Sequence, residues 1–174
     1  MQDRCDIEQH FITTDDGYIL QAHRVSLKKN LKKDLTDKTF VDQPVLLSHS
    51  FMASSVIMFV PNAKYFIEKG YDVWLTNQRG NRWSLYHTNP NIGEKEFFDY
   101  GIDEHTNDIK CFYEKIIEVT KKQKILYFGY SIGGLVFATS HSKLETKEFF
   151  QKHTLKAILI APFLYPSLAK KGQG

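Results

Sequence analysis

Apolar and polar positions along this chain change period several times, and the changes mark out its elements. Residues His10 to Thr14 and Tyr18 to Val25 are β-rich runs separated by Asp15-Asp16-Gly17. Gly17 can take the positive φ of a tight turn, so an antiparallel hairpin is expected first. After a lysine-rich stretch, Pro44-Val45-Leu46-Leu47-Ser48 is a short continuous apolar run, of the kind buried on both faces in a parallel sheet. Pro61 suits the first turn of a helix and Gly70 the position just past its end, which predicts a helix over 60–69. Tyr71 to Thr76 is the next buried strand, and the polar run from Asn77 to Lys95 reads as a long loop. From Ile102 to Lys122 the apolar positions Ile109, Phe112, Tyr113, Ile116 and Ile117 recur at helical spacing, with Lys121 and Lys122 expected in the last turn. A strand over Lys124 to Phe128, a helix over Ile132 to Ser142 and a strand over Leu155 to Ile160, stopped by Pro162, complete the pattern.

Strands alternating with helices after a hairpin define an α/β class: one domain over 1–174, its sheet parallel through the middle. Ligands of such sheets bind outside the carboxyl ends of the strands, so chemistry is expected just after Ser48, Thr76, Phe128 and Ile160.

Composition narrows the classes. With 174 residues, 42% of them hydrophobic, the chain can bury one sizeable core. The 23 Lys and Arg against 20 Asp and Glu leave +3, too little to point to nucleic acid or an anionic membrane. The lysines at 28, 29, 32 and 33 read as a solvated loop. No run of 18 apolar residues suggests a transmembrane segment, and Met1 to Asp6 lack the apolar stretch of a signal peptide. Two cysteines give no disulfide framework; Cys5 is expected in a loose N-terminus and Cys111 in a helix.

The residues that carry chemistry follow the Lys124 to Phe128 strand. Gly129-Tyr130-Ser131-Ile132-Gly133-Gly134 is a G-x-S-x-G motif between a strand and a helix, the context in which it forms a nucleophile elbow. A chain of this length holds on the order of 0.05 such matches by chance, so the match with its context singles out Ser131 as the candidate nucleophile. Gly129 and Gly133 are the elbow glycines, where a Cβ would collide with the neighbouring strand and helix. The oxyanion hole would take the N–H of Ile132, which opens the helix, and the N–H of Phe51 in the loop after Ser48. The base is harder to place. In this elbow's fold the order is Ser, then Asp or Glu, then His, and after Ser131 only Glu145, Glu148, His141 and His153 remain, all in one helical crossover. His141 is carried away from the elbow by its helix, and His153 stands at the amino end of a strand. His49 is expected to pack and orient the oxyanion loop, while His10, His23, His87 and His105 read as structural or exposed. No metal-ligand spacing and no phosphate-binding glycine loop occurs, so no cofactor is expected.

The stretch Gly70-Tyr71-Asp72-Val73-Trp74-Leu75-Thr76-Asn77-Gln78-Arg79-Gly80-Asn81-Arg82-Trp83-Ser84, followed by His87, resembles the acid lipases, a family that includes the lysosomal acid and gastric lipases. That family carries GYDVWxxNxRGNxxS before a histidine. Asp15 to Leu20 is similar to its DGY-I-L hairpin, and Phe97-Phe98 with Asp103-Glu104 to its aromatic and Asp-Glu segment. The resemblance runs from about Ile7 to Pro162. It implies an α/β-hydrolase fold, hydrolysis of neutral lipid esters (triacylglycerols or sterol esters) through an acyl-enzyme on Ser131, and a lysosomal or secreted setting. Arg79 and Asn81 are expected to brace the loop beside the site rather than touch substrate.

Three positions depart from the family. His49-Ser50-Phe51 stands where it has His-Gly-Leu, and Tyr130 where it has His. The lipases also continue past the strand matching Leu155 to Ile160, through a cap and strands bearing the catalytic Asp and His, whereas this sequence ends at Gly174. The expectation is therefore a fold truncated before its last strands, with little turnover alone. The alternatives are a non-catalytic binding or structural subunit, and an esterase whose base comes from another chain. A partner chain covering the exposed sheet edge at Leu155 to Ile160 belongs with these expectations.

Overall fold

The computed structural model describes residues 2–58 and 62–162. In chain order these hold β1 (Cys5–Thr13), β2 (Tyr18–Leu27), α1 (Lys29–Lys32), β3 (Pro44–Ser48), α2 (Ser55–Met58), α3 (Lys64–Glu68), β4 (Asp72–Asn77), β5 (Tyr86–His87) and α4 (Glu94–Phe97). They continue with α5 (Ile102–Thr120), β6 (Ile125–Tyr130), α6 (Ile132–Thr139), α7 (Leu144–His153) and β7 (Thr154–Ile160).

Among the described residues seven strands form one sheet in the order β1-β2-β4-β3-β6-β7, with β5 added beside β2. The hairpin closes at Gly17, φ 96°, and joins β4 antiparallel through β2. From β4 through β3 and β6 to β7 every pairing is parallel. The central strands are continuous apolar runs because both faces are covered. Leu46, Trp74 and Tyr127 point to one side, into a core shared with Ile109, Phe112 and Ile116 of α5, Phe137 of α6 and Phe150 of α7. Their neighbours Val45, Leu47, Val73, Leu75 and Phe128 point to the other, against Met58 of α2 and Ile67 of α3.

Helix α5 starts where Glu104 accepts a hydrogen bond from the Gly101 N–H at 2.7 Å. Its Ile109, Phe112, Tyr113 and Ile116 are fully buried, each such side chain contributing roughly 1.5–3 kcal/mol. The helix stops at Thr120, because Lys121 turns left-handed at φ 59°. Strand β7 pairs with β6 on one side, and Leu155, Ile158 and Ile160 are 41–50% exposed. No helix among the described residues is long and apolar enough to cross a membrane.

Several local expectations change. Cys5 is not in a loose terminus but buried in β1, where it packs with Val25 and Leu27 because the hairpin runs longer than its β-rich centre suggested. Lys121 and Lys122 lie beyond the last helical turn rather than within it. The helix expected over 60–69 is described as Lys64–Glu68, with Gly70 past its end at φ 89°; Pro61 lies outside the described residues. The polar run 77–95 is not a plain loop: it holds β5 and the start of α4. The helix expected to Ser142 ends at Thr139, and a separate α7 follows.

Candidate active site

The carboxyl ends of β3, β4 and β6 meet around Ser131. This residue leaves β6 at φ 54°, ψ −113°, a conformation L-residues seldom hold, and begins α6. Hydrogen bonds pin it there. Its N–H donates to the Ile160 carbonyl at 3.0 Å, and its own carbonyl accepts from Gly134 and Leu135 at 3.0 and 3.2 Å. Around the turn space is short. A Cβ on Gly129 would lie 2.8 Å from the Gly133 backbone, and one on Gly133 would lie 2.7 Å from the Ser48 carbonyl oxygen. Strand β3 and the first turn of α6 can approach this closely only because position 133 has no side chain.

The two backbone donors assigned from the sequence line one cavity. It measures about 660 Å³ and takes Phe51 and Ile132 into its wall with His49, Asn81, Tyr100 and His105. Neither the Phe51 nor the Ile132 N–H is hydrogen-bonded to another group among the described residues. Ser50, which replaces a glycine of the acid lipases, does not require one: the left-handed residue of this loop is Met52, φ 53°. A larger groove, about 990 Å³, lies between the hairpin turn and α5 and is lined largely by charged side chains, Glu104, Lys110, Glu114 and Lys115 among them; no elbow residue faces it.

His49 is buried and joins the two loops beside the elbow. Its Nδ1–H donates to the Ser50 carbonyl at 2.8 Å, and its Nε2 accepts from the Gln78 N–H at 3.1 Å, which sets the tautomer. Burial holds its pKa below the ordinary histidine value, so the ring is neutral. Asn81 donates to Asn77 Oδ1 at 3.1 Å and accepts from the Trp83 N–H at 2.8 Å.

Arg79 contributes to the same cavity as His49 and Asn81, but its side chain is held in ion pairs. Its side chain is 1% exposed and lies between two carboxylates, Asp108 at 2.6 and 2.8 Å and Asp16 at 2.7 and 3.2 Å, with the Tyr18 ring 4.0 Å from the guanidinium carbon. Burial works against its charge, but the bonds to both carboxylates outweigh burial and raise its pKa. The Asp108 carboxyl is pushed up by burial, opposed by those same bonds. Both carboxylates went unassigned in the sequence, although Asp108 falls beside the apolar stripe of α5, where a charged residue demands a partner.

None of the seven histidines hydrogen-bonds Ser131 among the described residues. His10 bonds Glu8, His23 bonds Ser55, His87 the Asp16 carbonyl and His141 the Phe137 carbonyl. His153 bonds the Gln123 carbonyl at the start of β7, a strand length, roughly 20 Å, from the elbow. His105, which reads from the sequence as structural or exposed, is not exposed. It is largely buried against the cavity, and its burial followed from a spacing of four before Ile109, on the core-facing side of α5.

A mixed sheet, parallel from β4 to β7, with a glycine-flanked serine in a strained strand-to-helix turn has the architecture of a hydrolase. Residues 43–168 match the family model described as alpha/beta hydrolase fold, and residues 2–62 the one described as partial alpha/beta-hydrolase lipase region. The chain belongs to the α/β-hydrolase fold family, and its resemblance to the acid lipases is borne out by its relatives. Lipase lipl-3 of Caenorhabditis elegans is 33% identical over 87% of this chain and 38% of its own length. Lipase member J of Homo sapiens is 33% identical over 82% and 41%, and gastric triacylglycerol lipase of Bos taurus 32% over 93% and 43%. The chain thus spans about two fifths of the length of these relatives. Among solved structures, an esterase from Exiguobacterium antarcticum shares the fold at TM-score 0.62 and 20% identity, covering 89% of this chain and 46% of that one.

Proposed function

We propose that this protein provides the nucleophile half of a lipase-type ester hydrolase acting on neutral lipid esters, with Ser131 as nucleophile. The observation that carries the reading is the strained Ser131 turn between β6 and α6, closed by two glycines with no room for a Cβ. Strain of this kind is retained where it serves function. In the reaction Ser131 Oγ attacks the ester carbonyl carbon, and its proton passes to a base. The carbonyl oxygen becomes an oxyanion facing the N–H groups of Ile132 and Phe51, where the start of α6 favours negative charge. Collapse expels the alcohol, which takes the proton back from the base, and leaves an acyl-serine, which water then hydrolyses. His49, Arg79 and Asn81 serve by holding the surrounding loops; the contacts that support this are the His49 bridge between Ser50 and Gln78 and the Arg79 pairs.

No imidazole is bonded to Ser131 among the described residues, so this reading places the proton acceptor outside them. Alone, the chain therefore turns over slowly. The same reading assigns the exposed β7 side chains to whatever completes the sheet, whether more polypeptide or a partner chain. The absent base also favours a second reading, a non-catalytic binding subunit. Hydrolysis of a short-chain nitrophenyl ester separates the two. A slow rate above the protein-free imidazole background that rises with imidazole in wild type but not in Ser131→Ala supports the hydrolase; identical background-corrected rates for both proteins leave the binding subunit.

A further inference from the structure

Tyr127 stands in the middle of β6, on the strand that leads into Ser131, and its phenol has no part in the chemistry described above. It is buried, at 1% exposure. Its ring stacks on Phe137 of α6, with centroids 4.3 Å apart at 21°, and takes the space that a Cβ on Gly129 would need, 2.8 Å from Tyr127 Cε1. A phenyl ring would pack as well. The informative atom is the hydroxyl, because burying one is costly unless it is bonded: it donates to the Gly133 carbonyl at 2.7 Å.

That carbonyl belongs to the Gly133–Gly134 peptide, and the N–H of the same peptide donates to the Ser131 carbonyl at 3.0 Å. One peptide unit therefore takes a bond from β6 at one end and gives a bond to the nucleophile residue at the other, and each bond polarises the next. A tether is needed at this point. Apart from proline, glycine has the weakest helix preference, so two in succession leave the first turn of α6 poorly held by its own sequence. The positive φ of Ser131 persists only where its surroundings over-determine it. On its other side Gly133 is closed in by the Ser48 hydroxyl, which accepts from Gln78 Nε2 at 3.2 Å and lies 2.8 Å from where a Cβ would stand.

We propose that Tyr127 is a positioning residue for the nucleophile: its hydroxyl holds the Gly133–Gly134 peptide, and through it the Ser131 turn and the neighbouring Ile132 N–H, in the geometry that attack requires. Tyr127 does not line the cavity beside the elbow and acts only through the backbone. The proposal rests on the reading of Ser131 as nucleophile, but the tether itself is measurable without turnover. A slightly displaced nucleophile loses rate rather than affinity, which sets the signature to look for.

Saturation labelling with a fluorophosphonate in the presence of imidazole tests it on Tyr127→Phe, which keeps the ring. The maximal rate of Ser131 labelling is expected to fall about tenfold, the scale of one hydrogen bond, at an unchanged half-saturating concentration. Tyr127→4-aminophenylalanine restores a donor and should recover most of that rate. Tyr113→Phe removes another buried phenol, bonded to Thr154 at the start of β7, and should leave labelling unchanged even where it lowers stability. Amide hydrogen exchange reads the tether directly. In wild type the Gly134 amide should be protected about a hundredfold or more over a free peptide, and Tyr127→Phe should release Gly134 and Leu135 while leaving Ile116 of α5 as it was. The wild-type measurement covers the case of a variant that does not fold. Labelling of Tyr127→Phe within about twofold of wild type, an equal loss in Tyr113→Phe, or an unprotected Gly134 in wild type overturns the proposal. A failure of the Ser131 reading shows separately, as labelling that Ser131→Ala does not abolish, and exchange at Gly134 then still decides the tether.

Discussion

Replacing Arg79 by Met should be among the most damaging substitutions in the chain, and its effect depends on one partner. Asp108 is 0% exposed and Arg79 1%, so removal of the guanidinium leaves a carboxylate buried without a counter-charge, at a cost of about 3–5 kcal/mol. Asp16 is 48% exposed and can be hydrated, so Asp16→Ala should cost no more than about 1 kcal/mol. The double variant Arg79→Met/Asp108→Leu removes both buried charges and fills much of their volume. Its loss should fall well below the sum of the single losses, with a coupling of roughly 1–3 kcal/mol. Urea denaturation followed by the fluorescence of Trp74 and Trp83 measures these three variants and the single Asp108→Leu, and thermal melting should place Arg79→Met about 10 °C below wild type. An Arg79→Met loss under about 1 kcal/mol, or a double variant that loses the full sum, would refute the claim that this pair is a desolvated, mutually dependent ion pair.

Three further outcomes are expected. Gly133→Ala places a Cβ 2.7 Å from the Ser48 carbonyl oxygen, so it should destabilise by about 1–3 kcal/mol in urea; a neutral result would mean that β3 and α6 can separate. His105 keeps a pKa of about 4 when folded against 6.5 when free, so the unfolded chain takes up a proton first as pH falls. The stability this group contributes is complete above pH 6.5 and is lost progressively down to about pH 4, at up to 1.36 kcal/mol per unit. Denaturation midpoints at pH 7, 6 and 5 should thus fall less steeply for His105→Gln than for wild type, and parallel slopes would exclude a neutral buried imidazole. Ile109→Ala, at a fully buried position on α5, should cost about 2–5 kcal/mol, and a loss below 1 kcal/mol would show that the α5 face of the core is loosely packed.

Local signals carry the parts of this molecule that are legible in sequence. Strands β3, β4 and β6 announce themselves because burial on both faces leaves no polar alternation, and the elbow does so because its glycine-flanked serine sits directly between a strand and a helix, although the Gly133 constraint itself comes from distant Ser48. Long-range pairing is where the reading runs out. Arg79 meets Asp108 29 positions later and Asp16 63 positions earlier, separations that no periodicity records. Cys5 looked loose because β1 gains its order from β2 rather than from its own β propensity. His105 reads only as structural or exposed because the polar residues around it mask its place on the inner side of α5. The missed α7 has a weak apolar pattern and is set in place by Phe150, packed against Tyr113 and Phe137.

The central claim is that Ser131 stands ready as a nucleophile in an elbow whose base is not among the described residues. Intact-mass measurement of the purified chain with a fluorophosphonate, with and without added imidazole, tests it most directly. The account predicts slow addition of a single adduct, mapped to Ser131, faster with imidazole and absent in Ser131→Ala. Rapid labelling of Ser131 without imidazole would contradict the missing base, and labelling unaffected by Ser131→Ala would contradict the nucleophile itself.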